Sequence, residues 1–422
     1  MSSPLDRMID KVLDARRGMS IGCPDLHQPM PTTAPDLFSN DCLSVTTSPR
    51  ARDAFLKRVT HMLFVFGSGG SRLLTGNQDT HTDFFGGLGC IASTAALFNS
   101  GYDANLAFWS TIPQKGDAVV FDEFVHASTR DGMAASPLKS LGALYAFKHN
   151  SVPSFRERVQ QVLEAYPNIA NGQGMLFVAV ETLYSMEGDY APLLQLLDAV
   201  DELIPKGCAH VMVDEAHTSS LFGPDGRGLL WALGLQGRGW GMSGGNSGDL
   251  DLTSCLEVSR TVLYSRPLLY TTSLPHAHIC GLNTVFDYLA SPDSTALRNR
   301  LRKVCNYFEH ILETAPRHVP PNLLSLLHRE IPADYPSKVF SPIFPLIKFL
   351  RPLGYAVTAI PYPTVPRGKE QIRVVLHAGN TEEELDEFVT RLLQWVTMME
   401  ADEERRQDAR EEDAHPPERA KL

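Results

Sequence analysis

Short apolar runs alternate with longer segments of helical period along the first three-quarters of the chain. "HMLFVF" (61–66), "DAVVFD" (117–122), "MLFVAV" (175–180) and "HVMVDEAH" (210–217) read as strands, with helices predicted over 152–166 and 191–204. Strands that alternate with crossover helices predict an α/β fold around a largely parallel sheet. At the start, Leu5, Met8, Ile9, Val12 and Leu13 recur at helical spacing, which predicts a docking helix. From about residue 276 the texture shifts to a long helical segment (TALRNRLRKVCNYFEHILETA), a Pro-rich passage and two apolar runs (VFSPIFPLIKFL and QIRVVLHAG). The expected organisation is therefore an N-terminal segment (1–50) packing on a small domain, a large α/β domain (51–275), that small C-terminal α+β domain (276–398), and a charged flexible tail (399–422).

Composition narrows the class. The chain has 422 residues and is 43% hydrophobic, enough for a large core, and cores beyond about 250–300 residues tend to divide. No run approaches the roughly 18 apolar residues of a membrane span, and Asp6, Asp10 and Asp14 are foreign to a secretory signal. Seven scattered cysteines without a C-x-x-C pair point to a reducing compartment rather than to disulfides or a zinc site. The net charge is −11, and the segment Glu400–Leu422 holds nine acidic and five basic residues. The rest of the chain is also acidic, which argues against a nucleic-acid partner. The final Ala420-Lys421-Leu422 is a conservative variant of the Ser-Lys-Leu peroxisomal address, so the expected location is peroxisomal or cytoplasmic.

Two motifs fail on context. Asp214-Glu215-Ala216-His217 matches a helicase box, but no Gly-Lys-Ser or Gly-Lys-Thr is present to cradle a triphosphate. Gly87-Leu88-Gly89-Cys90-Ile91-Ala92 satisfies a dinucleotide pattern, yet the polar "NQDTHTDFF" stands where the preceding strand belongs. His81, His126, His210 and His217 lack the tight spacing of a structural zinc site, so no metal is expected. What remains is an acid at the end of a central strand, where open α/β sheets bind ligands. A buried carboxylate there needs a cationic partner, and one that fits is a protonated pyridine nitrogen.

Several ordered stretches resemble the α-oxoamine synthases, which depend on pyridoxal phosphate. They are "SNDCLSV" (39–45), "GSGGSRLLTGNQDTH" (67–81), "LFNSGYDANLA", "KGDAVVFDEFVHASTRDG", "ETLYSMEGDYAPL", "DEAHTSSLFGPDGRG", "RPLLYTTSLP", "YPTVPRG" and "IRVVLHAGNT". The resemblance spans roughly 39–395 and is strongest to the 8-amino-7-oxononanoate synthases. It implies fold type I, with a large, mostly parallel, seven-stranded type of sheet domain and a smaller α+β domain.

It also implies roles. Gly101 and Tyr102 stand where backbone amides hold the cofactor phosphate, and His126 where an imidazole stacks on the ring. Asp214 matches the partner of the ring nitrogen, Ser185 and His217 the partners of the ring hydroxyl, and Glu181 the active-site acid. Thr271 and Thr272 match phosphate contacts made across a homodimer, and Arg373 the holder of the amino-acid carboxylate. The implied reaction is the decarboxylative condensation of an amino acid, alanine, with an acyl-CoA, pimeloyl-CoA, in biotin-precursor synthesis. Alternatives are a related enzyme of specialised metabolism or a catalytically silent member. The last arises because the family's T-F-[SG]-K-A-x-G lysine, which holds the cofactor and moves the substrate proton, has no counterpart in the interval 229–265. No lysine stands between Lys206 and Lys303. Ser219-Ser220 also replaces the family's usual Thr-Gly.

Overall fold

The structure, a computed structural model, describes residues 3–18, 35–71, 73–76, 97–235, 241–243, 265–314, 331–335, 341–347, 358–360 and 371–414. Gly87–Ala92, His81, "YPTVPRG", most of the interval 235–263 and the final Ala420-Lys421-Leu422 lie outside the described residues. The chain divides into two compact units. The larger is Ser39–Leu301 with Arg329–Ser341, and the smaller is Met1–Phe38, Arg302–His328 and Pro342–Leu422. The larger unit thus starts before residue 50 and runs on past 275. The reason is packing: helix His276–Leu289 lies against helix Pro49–Val59 inside it.

The larger unit is built on β1 (Ala118–Asp122), β2 (Leu144–Phe147), β3 (Leu176–Glu181), β4 (Ala209–Asp214) and β5 (Gly241–Ser243). They pair in the order β2-β1-β3-β4-β5, every pair parallel. All six residues of β3 are buried, as a parallel sheet covered on both faces requires. Helix Val152–Ala165 starts at the Ser151 cap with a proline in its first turn and buries Phe155, Val159 and Val162 at i, i+4 and i+7. One core cluster joins Phe108 and Trp109 of helix Gly101–Thr111 to Val119, Phe177 and Met212 of the sheet. The chain passes from β1 to β2 on one side and then to β3 on the other, so the topological switch point lies between β1 and β3. Ligands of open α/β sheets bind at such a point, outside the carboxyl ends of the strands.

Three expectations change. "HMLFVF" is not a strand: Leu63 is 87% exposed and Phe66 93%, and the Val65 carbonyl accepts from the Ala277 amide instead of from a sheet neighbour. An apolar run becomes a strand only where a partner strand is available. The N-terminal helix forms over Pro4–Gly18, but Leu5, Met8, Ile9 and Val12 are exposed, so its apolar stripe meets no described surface. The helix that begins at Glu382 continues to Ala414, so the charged segment from 399 is helical that far, in keeping with its Glu, Arg, Gln and Ala content. In the smaller unit, β6 (Ile343–Ile347), β7 (Thr358–Ile360) and β8 (Gln371–Val375) form an antiparallel sheet in the order β6-β8-β7.

At the carboxyl end of β1, Asp122 is fully buried beside His149. His149 Nδ1 lies 2.9 Å from Asp122 Oδ1 and Nε2 3.1 Å from Asp189 Oδ2, while the Asn150 amide donates to Asp122 at 2.8 Å. Burial opposes a charged ring, but the hydrogen bonds and charges of Asp122 and Asp189 outweigh it and raise His149 from 6.5 to about 10. Because the folded value lies above the unfolded one, the proton's contribution is complete below about pH 6.5 and is lost as pH rises through about 10. His149→Gln is therefore expected to lower unfolding stability by about 3–5 kcal/mol at neutral pH, since it leaves the buried Asp122 and the half-buried Asp189 without their cation. Urea melts should show this deficit shrinking towards pH 10, and a deficit constant with pH would contradict the charged clamp.

Candidate functional site

The carboxyl ends of β1, β3 and β4 each carry an acid, and each acid is handled differently. Asp122 is paired with His149 as above. Glu181 and Asp214 are in-register neighbours across β3 and β4. Burial, then the nearby charge of Asp214, pushes Glu181 well above the usual carboxylate range. Its Oε1 accepts from the backbone amide of His126. That bond spans the switch point between β1 and β3.

Asp214 is half-buried. Its Oδ1 accepts from the Ala216 amide at 2.8 Å and its Oδ2 from Asn105 Nδ2 at 2.9 Å. The same Asn105 nitrogen donates to Ser128 Oγ at 3.1 Å, which uses both amide hydrogens. Ser128 Oγ lies 2.7 Å from His126 Nδ1, and the Ser128 amide donates to that nitrogen at 3.2 Å. His126 caps helix Ala127–Ala135 in this way, and with Nδ1 accepting, a neutral ring carries its proton on Nε2. A continuous path thus runs from Asp214 through Asn105 and Ser128 to His126, whose residue is exposed. Among the described residues no cation is paired with Asp214; both of its contacts are neutral donors.

The next residue has another task. Glu215 is buried and its Oε1 accepts from Leu229 at 2.6 Å and Leu230 at 3.1 Å, the first amides of the helical turn Leu229–Ala232. Burial raises Glu215 to about 7 against the pull of those donors. Gly228 has φ +107°, and a Cβ there would stand 2.7 Å from both carboxylate oxygens, so only glycine fits. Glu215 is therefore a structural anchor for "GPDGRG".

Helix Gly101–Thr111 begins at Ser100, whose Oγ accepts from the Asp103 amide at 3.0 Å. Gly101 and Tyr102 open its first turn, and nothing lies within 4 Å of a Cβ built on Gly101. Unpaired first-turn amides with space in front of them suit an anion. The Tyr102 hydroxyl bonds Asp131, which turns the side chain aside. Thr271 and Thr272 are exposed, and the Thr272 carbonyl accepts from Asn99 Nδ2 at 3.1 Å, two residues before Gly101 in the same chain. Ser185 and His217 are half-buried, four residues beyond Glu181 and three beyond Asp214.

The structure thus brings Asn105, His126, Ser128, Glu181 and Asp214 together. Arg373 belongs to the smaller unit. It is 8% exposed, lies in β8 opposite Pro345 and Thr358, and has its guanidinium 5.8 Å from the Phe38 ring centre. Asn105 and Ser128 escaped the sequence reading. The available signal was a lone amide among the apolar positions of "DANLAFW" and a hydroxyl two residues after His126.

The donor set fits a pyridoxal ring. A half-buried carboxylate with only neutral donors favours a protonated ring nitrogen, and the imidazole linked to it suits a ring face.

Comparison with known proteins agrees. The family "Aminotransferase class I and II" matches residues 36–392. The 8-amino-7-oxononanoate synthase of Emericella nidulans is 35% identical over 88% of this chain and 91% of its own length. The aminoacyl transferase sphA of Aspergillus fumigatus is 32% identical over 86% of this chain and 81% of its own length. Among solved structures, Sphingomonas wittichii serine palmitoyltransferase superposes with a TM-score of 0.73 at 22% identity, covering 93% of this chain and 97% of that one. The 8-amino-7-oxononanoate synthase of Francisella tularensis gives 0.60 at 21% identity, covering 87% and 99%. The architecture is that of fold type I transferases, whose cofactor is pyridoxal phosphate. The chain belongs to the class I and II aminotransferase family and, within it, to the α-oxoamine synthases.

Proposed function

We propose that the chain binds pyridoxal phosphate at Asp214 and His126 and condenses alanine with pimeloyl-CoA. The observation that carries this reading is the Asp214 carboxylate at the end of β4, fixed by Asn105 and Ala216 and paired with no described cation. When bound, the cofactor draws electron density from the substrate α-carbon. Asp214 holds the proton on the ring nitrogen, and Asn105 keeps its carboxylate aimed. His126, oriented by Ser128, covers one face of the ring and keeps water from it. The amides of Gly101 and Tyr102 take the phosphate, with Ser185 and His217 at the ring hydroxyl and Glu181 beside them. In the reaction the alanine Cα–H bond breaks, the α-carbon bonds to the acyl carbon as the thioester C–S bond breaks and CoA leaves as the thiolate, which takes up a proton, and after the bond to CO2 breaks a proton returns to the α-carbon. The product is an α-amino ketone. The name carried by the 35% identical relative favours this substrate pair over a longer acyl chain.

A second reading, a cofactor-binding member without turnover, is favoured by the absence of lysine between Lys206 and Lys303. A missing general base costs roughly 10²- to 10⁴-fold in rate. Purified protein mixed with pyridoxal phosphate should bind it without borohydride-reducible attachment to a lysine. Release of CoA from pimeloyl-CoA that depends on alanine then supports the condensing enzyme, at a rate depressed by about that factor. Binding with no CoA release supports the silent member, and no binding at all defeats both.

Asn105 supplies a graded test of the site. Asn105→Ala is expected to weaken cofactor binding by about 10- to 100-fold, as loss of an orienting partner does, and Asp214→Ala by more. Equal affinity in all three proteins, measured by quenching of tryptophan fluorescence, would remove Asp214 from the site.

The same reading includes a homodimer. Leu63, Phe64, Phe66 and Tyr270 are exposed large apolar residues, and Val65 and Ser71 bond the segment that holds Thr272 and Ala277. A second copy covering this face would bring its own threonines to the phosphate. Light scattering should give twice the chain mass, and Phe66→Asp should shift it towards the monomer.

A further inference from the structure

The larger unit contains a cavity of about 500 Å³ that none of the roles above uses. Leu43, Val45, Ala51, Phe55, Val285 and Leu289 supply much of its wall, so it is chiefly apolar. It exceeds by about threefold the roughly 150 Å³ apolar cavity that takes a benzene, which is room for an alkyl chain. Two of its lining residues are close in sequence to residues of the candidate site. Ser220 lines it, six residues beyond Asp214, and Pro275 lines it, three residues beyond Thr272.

The charged groups on the wall differ in availability. Asp41 is buried and occupied, with Oδ1 accepting from the Val45 amide and Oδ2 from the Thr46 amide, each at 2.9 Å. Arg52 is exposed, and among the described residues its guanidinium has no hydrogen-bond or ion-pair partner. An apolar slot with a guanidinium on its wall is complementary to an unbranched chain that ends in a carboxylate.

We propose that this cavity takes the acyl chain of the thioester substrate and that Arg52 pairs with a carboxylate at the far end of that chain. The identity of the thioester rests on the condensation reading above; the chemistry of the cavity does not. Ser220 shapes the same space. It holds φ +70°, a left-handed conformation that favours glycine, at the position where the resemblance has glycine. Its side chain lines the slot and takes up space there that glycine would leave open, and it is a specificity-determining residue for the chain.

The test is calorimetric titration of the full chain with two probes of equal length, monomethyl pimelate and methyl heptanoate. Monomethyl pimelate should bind about 10-fold tighter, the scale of one charge-assisted hydrogen bond. Arg52→Gln, an exposed change that spares the core, should remove the difference, while Val285→Phe should weaken both probes by filling the slot. Equal binding of the two esters by the unaltered protein, or a preference that survives in Arg52→Gln, overturns the proposal. The two readings fail separately. Ester preference without alanine-dependent CoA release keeps the cavity assignment and removes the condensation. CoA release with the same KM for pimeloyl-CoA and heptanoyl-CoA removes the cavity assignment and keeps the condensation.

Discussion

Holding one carboxylate at the end of β4 with neutral donors is the constraint on which the site depends. A half-buried charge is costly unless its lone pairs are occupied, yet a cation in contact would cancel the field that a bound ring needs. Asn105 meets both demands. Its amide occupies Asp214 Oδ2 without neutralising it, and its second hydrogen reaches Ser128 and through it the imidazole of His126. A helix buried against the sheet therefore sets the aim of the acid and the angle of the ring together.

The neighbouring acids show why this arrangement is sustainable. Three carboxylates at adjacent strand ends would repel one another if all were ionised and unpaired. Asp122 is paired with a histidine clamp, and burial together with Asp214 makes ionisation of Glu181 costly. The bond from the His126 amide to Glu181 ties the loop after β1 to the end of β3, so the walls of the crevice are fixed to the sheet rather than to surface loops.

Membership of the α-oxoamine synthases and absence of the interval lysine together make binding and turnover separate properties of this chain. On the proposed reading, the groups for the phosphate, ring nitrogen and ring face are ones that do not need the lysine: first-turn amides, a carboxylate and an imidazole. The lysine's own work is covalent attachment and proton transfer. Retention of the first set keeps the physical basis for cofactor affinity, while the loss of the second bears on rate. The proposed role of the apolar cavity adds a third property, the choice of acyl chain, assigned there to Arg52 and Ser220, which line it, and not to the ring.

The strands β1, β3 and β4, the helix after Ser151 and the acid at position 214 were legible in the sequence because their signals are local: apolar runs of strand length, a cap followed by proline, and a carboxylate where a run stops. The family could likewise be read from ordered motifs, since those motifs are contiguous. Three other features were decided only by folding. "HMLFVF" has strand composition but found no strand to pair with. Glu215 and Asp214 are adjacent letters, yet one anchors a helical turn and the other meets Asn105, which lies 109 positions away in sequence. The cavity is assembled from segments near residues 41–55 and 275–289. Local spacing determines periodicity, caps and strand ends, whereas the partner of a polar group and the volume between elements are set by long-range packing that no single segment encodes.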